Sequence, residues 1–152
     1  MHFDLSIRIE RSPQDVFGFL RDKDKYPQEP GSPVLVLDQT TPGPAGVGTR
    51  YLEVVRMLPF VRGEIHSVIT DFEPGRRLAE DFEGAGMVGH LEYRFEPEGD
   101  GTRLTQRETI QTRGFVRALA PLVKRMLGRQ LRKRLEGMKT ILESGWVVDE
   151  QD

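Results

Sequence analysis

Apolar residues occupy every second position from residue 3 to residue 9, and the residues between them are polar. A period of two predicts a half-buried β-strand. Ser12 and Pro13 come next. This pair is typical of a helix N-terminus, because serine caps the first turn and proline fits within it. The pattern therefore predicts a strand, a short helix and a second helical turn over 22–26, which Pro27 ends.

Alternating segments recur between residues 34 and 112, and glycine- and proline-rich turns separate them. No helical pattern lies between these segments. Strands joined by short turns indicate an antiparallel sheet, because parallel strands need long crossover connections. We predict strands over the ranges 34–40, 49–57, 61–72, 77–82, 88–95 and 102–112.

The period changes to steps of three and four residues from Phe115 onward, and basic residues fill the other positions. This pattern predicts one long amphipathic helix, Phe115–Glu143, with a break near Pro121. Residues 1–145 are then one domain, and residues 146–152 a flexible acidic tail. We expect Trp146 to pack on the sheet edge. The apolar stripe of the helix is Phe115, Leu119, Leu122, Met126, Leu127, Leu131, Leu135, Met138 and Leu142.

Several segments resemble scaffold signals of the START-like (SRPBCC) superfamily, in its polyketide cyclase/dehydrase and lipid-transport branch. Each signal is unspecific alone, and their order along nearly the whole chain carries the resemblance. The family often has a tryptophan shortly after its Tyr-Pro, where this chain reads Gln28-Glu29-Pro30. The segments are IERSPQDVFGFLRDKDKYP (9–27), GVGTRY (46–51), VITDFEPGRRL (68–78), GTRLT (101–105) and LEGMKTILE (135–143).

The resemblance implies an α+β helix-grip fold. In it, a curved antiparallel sheet of six to seven strands surrounds the long C-terminal helix, and two short helices follow the first strand. It also implies a cavity between sheet and helix that binds or transports an apolar molecule such as a lipid, a quinone or a polyketide-like aromatic. A bent sheet cannot lie flush on a straight helix, which leaves space of the kind that small molecules occupy.

Alternation along the strands predicts which side chains line this cavity. Arginine prefers water, so the face of strand 49–57 that lacks arginine is expected to face the helix. On strand 61–72, the face that carries Glu64, His66, Val68, Thr70 and Phe72 is expected to point the same way, and the apolar stripe supplies the helix side. The predicted ligand-binding residues are Tyr51, Glu53, Val55, Met57, Val68, Phe72, Leu119, Val123 and Met126.

An enzyme is the alternative to a binding protein. If strand 61–72 presents Glu64 and His66 to the cavity, these two side chains and Glu108 form a proton-transfer set, because histidine titrates near neutrality. A cofactor-free cyclase or dehydratase needs such a set and a shaped pocket. If the strand register differs by one residue, the pair Glu64 and His66 lies on the surface instead. A third reading is a protein-interaction module.

Composition narrows the classes further. The chain has 152 residues, a net charge of −2 and no cysteine, which excludes disulfides and cysteine-ligated metals. The three histidines lack metal-ligand spacing, so we predict no metal and no cofactor. The negative net charge argues against a nucleic-acid partner. Contact between the basic helix and an anionic membrane surface is a less favoured alternative. No signal peptide is visible, which predicts a cytoplasmic location, and no oligomeric state is favoured.

Overall fold

A computed structural model describes residues 1–26, 28 and 32–145. Strand β1 leads into a short helix, a 3₁₀ turn, six further strands and two consecutive helices. The elements are β1 (His2–Ile9), α1 (Pro13–Arg21), the 3₁₀ turn (Lys23–Lys25), β2 (Val34–Gln39), β3 (Arg50–Leu58), β4 (Val61–Glu73), β5 (Arg77–Gly84), β6 (Met87–Glu98), β7 (Gly101–Thr112), α2 (Phe115–Ala118) and α3 (Ala120–Glu143).

All seven strands form one curved antiparallel sheet in the order β1-β7-β6-β5-β4-β3-β2. Strands β1 and β2, which follow one another in sequence, therefore form the two edges. Helix α1 and the 3₁₀ turn connect these edges across the inner, concave face. Ser12 caps α1 by accepting a hydrogen bond from the backbone N–H of Asp15, at 3.2 Å, as its position before Pro13 predicts.

The hydrophobic core lies between the inner face, α1 and the C-terminal half of α3. Phe17 of α1 packs against aromatic rings from β4 and β6. Its ring centroid lies 5.1 Å from that of Phe72 and 5.3 Å from that of Phe95, both in edge-to-face geometry. Leu135, Met138 and Leu142 are the buried residues of α3. The core thus fixes α1 and one end of α3 to the sheet.

Hydrogen bonds hold the same end of α3. Arg11 Nη1 donates to the carbonyl of Leu142 at 2.7 Å, and Lys139 Nζ donates to the carbonyl of Arg8 at 2.6 Å. The first turns of α3 have no comparable anchor among the described residues, and the residues from Pro121 to Met126 are exposed apart from half-buried Val123. Helix α3 is therefore anchored at its C-terminal end.

The helix-grip architecture predicted from the sequence is confirmed. Pro121 lies in the first turn of α3, after a short break at Leu119 that separates it from α2. A proline tolerates this position because the first backbone N–H groups of a helix have no partner within the helix. The predicted tail, including Trp146, lies outside the described residues.

Candidate functional site

The inner face of the sheet carries a small group of buried polar side chains among its apolar ones. Register places Glu80 opposite Ile69 and Leu91, and Glu108 opposite Leu91 and Phe3. Burying polar groups costs free energy unless they are paired, so their grouping marks a candidate site. This group consists of Tyr51, Glu80, Tyr93, Gln106 and Glu108; two threonines, Thr49 and Thr102, are also buried.

The outward position of Glu64 and His66 corrects a prediction from the sequence. Their side chains are 65% and 62% exposed and lie 3.7 Å apart on the outer face. Val68 lies on the same outer face, opposite Arg50 and Asp81. The expectation that these three residues line the cavity is wrong, and the predicted set of His66 with Glu108 does not form.

A β-bulge between Ile69 and Asp71 is the reason for this difference. A bulge adds one residue to a strand, so inward positions change from odd to even numbers across it. Ile69 faces inward before the bulge and Phe72 faces inward after it, where it contacts Phe17. Counting back by twos from Phe72 therefore selects the wrong face.

The apolar stripe of the C-terminal helix contains a similar phase change. The step from Met126 to Leu127 is one residue, which rotates the stripe by about 100°. Leu135 and Leu142 are buried, whereas Leu119 and Met126 are 41% and 42% exposed. The expectation that Leu119 and Met126 line the cavity is wrong, because they continue a separate stripe on the opposite side of the helix.

The other predicted residues lie on the inner face or beside it. Tyr51 is 2% exposed and Glu108 is 7% exposed. Phe72 is half-buried in the core, and Val123 is half-buried on α3. Three half-buried residues continue the inner face of β3 beyond Tyr51: Glu53, Val55 and Met57. Their placement agrees with the prediction, and ligand binding by them stays a prediction.

An ion pair closes the site beneath the 3₁₀ turn. Lys23 Nζ lies 2.6 Å from Glu80 Oε1, and the two side chains are only 13% and 6% exposed. The same ammonium lies 4.5 Å from the centroid of the Tyr51 ring, a cation–π distance. The Tyr51 hydroxyl donates a 3.5 Å hydrogen bond to the carbonyl of Arg21. Burial, reinforced by the charge of Glu80, raises the pKa of Tyr51, so its hydroxyl remains a donor.

Gln106 and Glu108 are neighbours on the inner face of β7. Gln106 Nε2 donates to Glu108 Oε2 at 3.3 Å. Gln106 Oε1 is buried and has no hydrogen-bond partner among the described residues. Burial raises the pKa of the Glu108 carboxyl to about 7; Glu53 and Glu80 add to the rise, and Arg134 and the Gln106 amide oppose it. Near neutral pH, Glu108 therefore exchanges between a donor and an acceptor.

Tyr93 lies on the inner face one row away from the two buried carboxylates, because it pairs with Leu78 and Gln106 in the register. Burial raises the pKa of its phenol, while the charge of Arg134 from α3 opposes the rise. The site residues missed by the sequence analysis are Lys23, Glu80, Tyr93, Gln106 and Arg134. Glu80 stands between the apolar Leu78 and Phe82, so alternation along β5 is the signal that identifies it.

A small internal cavity and a larger surface depression differ in their suitability for an apolar ligand. A cavity of about 20 Å³, enough for about one water, lies beside Lys23, Arg134 and Met138. A depression of about 500 Å³ lies on the outer face, where His90 Nδ1 is 2.6 Å from Asp81 Oδ1. The depression is larger, but it is open and lined by exposed charged groups. The inner face is the better candidate because an apolar ligand must be largely enclosed.

Metal binding finds no support in the part of the chain that the structure describes. No cluster of three or more histidine, aspartate or glutamate side chains there has the proximity needed to hold a metal ion. The buried carboxylates Glu80 and Glu108 are separated by Leu91 in the sheet register. The inner face offers hydrogen bonding by Gln106 and proton exchange by Glu108.

Comparisons with known proteins agree with this fold. A protein from Thermus thermophilus superposes with a TM-score of 0.77 at 19% identity, covering 97% of this chain and 100% of its own. A protein from Deinococcus radiodurans superposes with a TM-score of 0.66 at 19% identity, covering 96% of this chain and 100% of its own. A START superfamily protein from Mycobacterium smegmatis superposes with a TM-score of 0.69 at 15% identity, covering 93% of this chain and 98% of its own. No curated protein matches the sequence. Residues 1–143 match the family model described as polyketide cyclase / dehydrase and lipid transport, and the chain belongs to that family.

Proposed function

We propose that the protein binds an apolar small molecule that carries one polar group, in the cleft between the inner face and α3. A lipid, a quinone or a polyketide-like aromatic has this chemistry. Membership of the cyclase and lipid-transport family supports small-molecule binding in general. The apolar inner face supports an apolar ligand body, and the buried polar residues support a polar group on it.

The unpaired amide oxygen of Gln106 is the observation that carries this proposal. Gln106 is 1% exposed, and its Oε1 has no partner among the described residues. An unsatisfied buried acceptor costs roughly 1–3 kcal/mol. A ligand hydroxyl or enol that donates to Gln106 Oε1 would remove this cost. Glu108, next to it, would donate to or accept from an adjacent ligand oxygen.

The ligand needs more room than the structure provides, because the cavity of about 20 Å³ beside Lys23, Arg134 and Met138 is too small and is not lined by Gln106. We expect the N-terminal half of α3 to move away from the sheet on binding, because the anchors of α3 are at its other end. Val123 and Glu53 would then flank the entrance, and Tyr93 and Gln106 would form its floor. The buried residues Leu135, Met138 and Leu142 would hold the helix during this movement.

Native mass spectrometry of the protein purified from its own host is the first test. A retained small molecule with an apolar body and a hydroxyl or carbonyl group is the expected result. Thermal shift against lipids, quinones and aromatic polyketides follows on ligand-free protein. If no molecule is retained and no compound raises the melting temperature, the proposal fails.

Two matched variants on β7 test the site itself. Gln106→Leu removes the inner amide, and Gln111→Leu removes an exposed amide on the same strand. For a compound that binds the parent, Gln106→Leu is expected to weaken binding by about tenfold, the value of one buried hydrogen bond. Gln111→Leu is expected to bind as the parent does. Equal affinities in all three proteins would show that the Gln106 amide does not contact the ligand.

Acid–base catalysis by Glu108 is a second candidate function. Its carboxyl is buried, has a pKa raised to about 7, and neighbours the amide of Gln106. A group with such a pKa can remove a proton next to a ketone carbonyl, the step that starts an aldol cyclisation. Glu108→Gln should bind a poly-β-ketone substrate with parental affinity and convert it at least ~100-fold more slowly. Unchanged conversion would exclude Glu108 from the reaction.

A further inference from the structure

A surface outside the proposed ligand site combines exposed apolar side chains with concentrated positive charge. Phe115 is 80% exposed, Leu122 is 65% exposed and Met126 is 42% exposed. Leu122 and Met126 lie about 140–180° around α3 from the buried Leu135 and Leu142. They point away from the sheet, so this stripe plays no part in the core.

Charge is distributed unevenly along the chain, and this stripe lies in the most basic part. Residues 113–135 contain eight of the 22 basic residues and none of the 24 acidic ones. Seven of the eight are exposed, and none of those seven forms an ion pair with another residue that the structure describes. They are Arg113, Arg117, Lys124, Arg125, Arg129, Arg132 and Lys133.

The turn between β3 and β4 adds to the same end of the molecule. Phe60 at its tip is 100% exposed, and Arg62 beside it is exposed. The hairpin turn between β5 and β6 links this region to α2. A Cβ atom at Gly86 would lie 2.4 Å from Val116 of α2, and one at Gly63 of β4 would lie 2.8 Å from Ala85 Cβ. Phe60, Phe115, Leu122 and Met126, with Arg62 and the exposed basic residues other than Lys124, are called the basic apolar end; Lys124 lies about 160° around α3 from Leu122.

We propose that the basic apolar end docks on the surface of an anionic lipid bilayer. Lysine and arginine beside exposed phenylalanine and leucine are the two components of interfacial binding: charge attracts the headgroups and apolar side chains enter the acyl boundary. The contact lies at the surface, since no helix in the described ranges is long and apolar enough to cross a bilayer.

The positive charge of the basic apolar end also argues against two other binding partners. A second copy in a symmetric dimer would bring the same positive segment against itself, which is repulsive. A nucleic acid would use the arginines and leave Leu122 and Met126 without a function, because its bases stack on aromatic rings. An anionic bilayer uses both the charges and the apolar side chains.

Vesicle flotation tests the proposal with the whole chain. Vesicles of phosphatidylcholine with about one third phosphatidylglycerol should carry the protein, pure phosphatidylcholine vesicles should not, and salt should weaken the binding. Leu122→Ser should reduce the affinity about tenfold. Its control is Val47→Ser, which removes a side chain that is 69% exposed outside the basic apolar end. Equal binding to both vesicle types, or equal loss in both variants, overturns the proposal.

A charge-matched pair of double variants completes the test. Arg117→Gln with Arg125→Gln should weaken binding to anionic vesicles by roughly 20-fold or more, at about 1 kcal/mol for each charge. Lys25→Gln with Arg107→Gln removes two exposed charges elsewhere and should change binding little. Binding to duplex DNA that persists in Leu122→Ser, without vesicle binding, would identify a nucleic-acid surface instead. A sedimentation shift to dimer that Leu122→Ser abolishes, again without vesicle binding, would identify a self-association surface.

Ligand retention in the same variants separates this proposal from the ligand site. Leu122 lies on the outward side of α3 and Arg125 is exposed, whereas Gln106 lies on the inner face of β7. Leu122→Ser is therefore expected to bind vesicles more weakly and to keep any small molecule that the parent retains. Gln106→Leu is expected to bind vesicles as the parent does and to bind the small molecule more weakly.

Discussion

Lys23 and Glu80 form a buried ion pair that joins the 3₁₀ turn to the inner face of β5, with 2.6 Å between Nζ and Oε1. The pair connects a segment that crosses the sheet to the strand beneath it. Lys23 also lies over the Tyr51 ring. One ammonium group thus holds together three elements that are distant in sequence.

Removing one member of this pair should destabilise the fold. Lys23→Met leaves the Glu80 carboxylate buried and unpaired, so the free energy of unfolding should fall by about 3–5 kcal/mol. Urea denaturation at pH 7 measures this change in the free energy of unfolding. Lys25→Met is the control, because Lys25 is 57% exposed and lies 3.9 Å from its partner Asp22; it should change stability by about 1 kcal/mol or less. The double variant Lys23→Met with Glu80→Gln should regain much of the loss. Equal effects of Lys23→Met and Lys25→Met would contradict a buried pair.

Glu108 should make stability depend on pH. Its pKa rises from 4.5 to about 7 on folding, so between these values the folded state holds a proton that the unfolded state has lost. The free energy of unfolding should therefore fall as pH rises from about 4.5 to about 7, by roughly 3 kcal/mol, and then level off. Glu108→Gln has no charge to bury and should be more stable than the parent at pH 8, with little difference at pH 4.5. Parallel pH profiles for the two proteins would rule out this role of Glu108.

Gly89 should not tolerate a side chain. A Cβ atom there would lie 2.3 Å from the backbone oxygen of Thr109 and 2.6 Å from Cζ of Phe82. Backbone cannot move aside cheaply, so Gly89→Ala should lower the free energy of unfolding by about 1–3 kcal/mol. Gly46→Ala is the matched control, since a Cβ there meets nothing within 4 Å. Thermal denaturation compares the two, and a smaller loss at Gly89 than at Gly46 would count against the close approach.

His66 should have no role in ligand binding on the inner face. Its side chain is 62% exposed on the opposite face of the sheet. His66→Ala should therefore leave the thermal shift from any bound compound within experimental error of the parent value. The paired comparison is Gln106→Leu under the same conditions. A loss in His66→Ala alone would move the site to the outer depression, which His66 lines.

Local patterns in the sequence predicted the elements well. The predicted strand 34–40 is observed as Val34–Gln39, and the strand predicted over 61–72 ends at Glu73. Periods of two and of three to four residues report backbone geometry directly, because they follow from the rise and rotation of strand and helix. The order of the elements then predicted a sheet and helix with an inner face between them.

The sequence predicted less well which face of each element is buried. The wrong face in β4 and the wrong face in the C-terminal helix have the same cause. The bulge after Ile69 adds one residue to β4, and the step from Met126 to Leu127 rotates the helical stripe. Each local pattern stays regular on both sides of its break. Counting from Phe72 therefore turned His66 inward, and counting from Leu119 turned Met126 inward.

The sequence by itself determined six to seven strands, a capped first helix, a long basic helix and the presence of polar side chains at alternate inner positions. Only the tertiary structure decided that Lys23 meets Glu80 and that Gln106 is buried beside Glu108. It also decided that Leu122 points away from the sheet. The physical reason is that periodicity depends on neighbours along the chain. The choice of buried face depends on the packing of segments that are distant in sequence, and one bulge or one rotation of a helix reverses it.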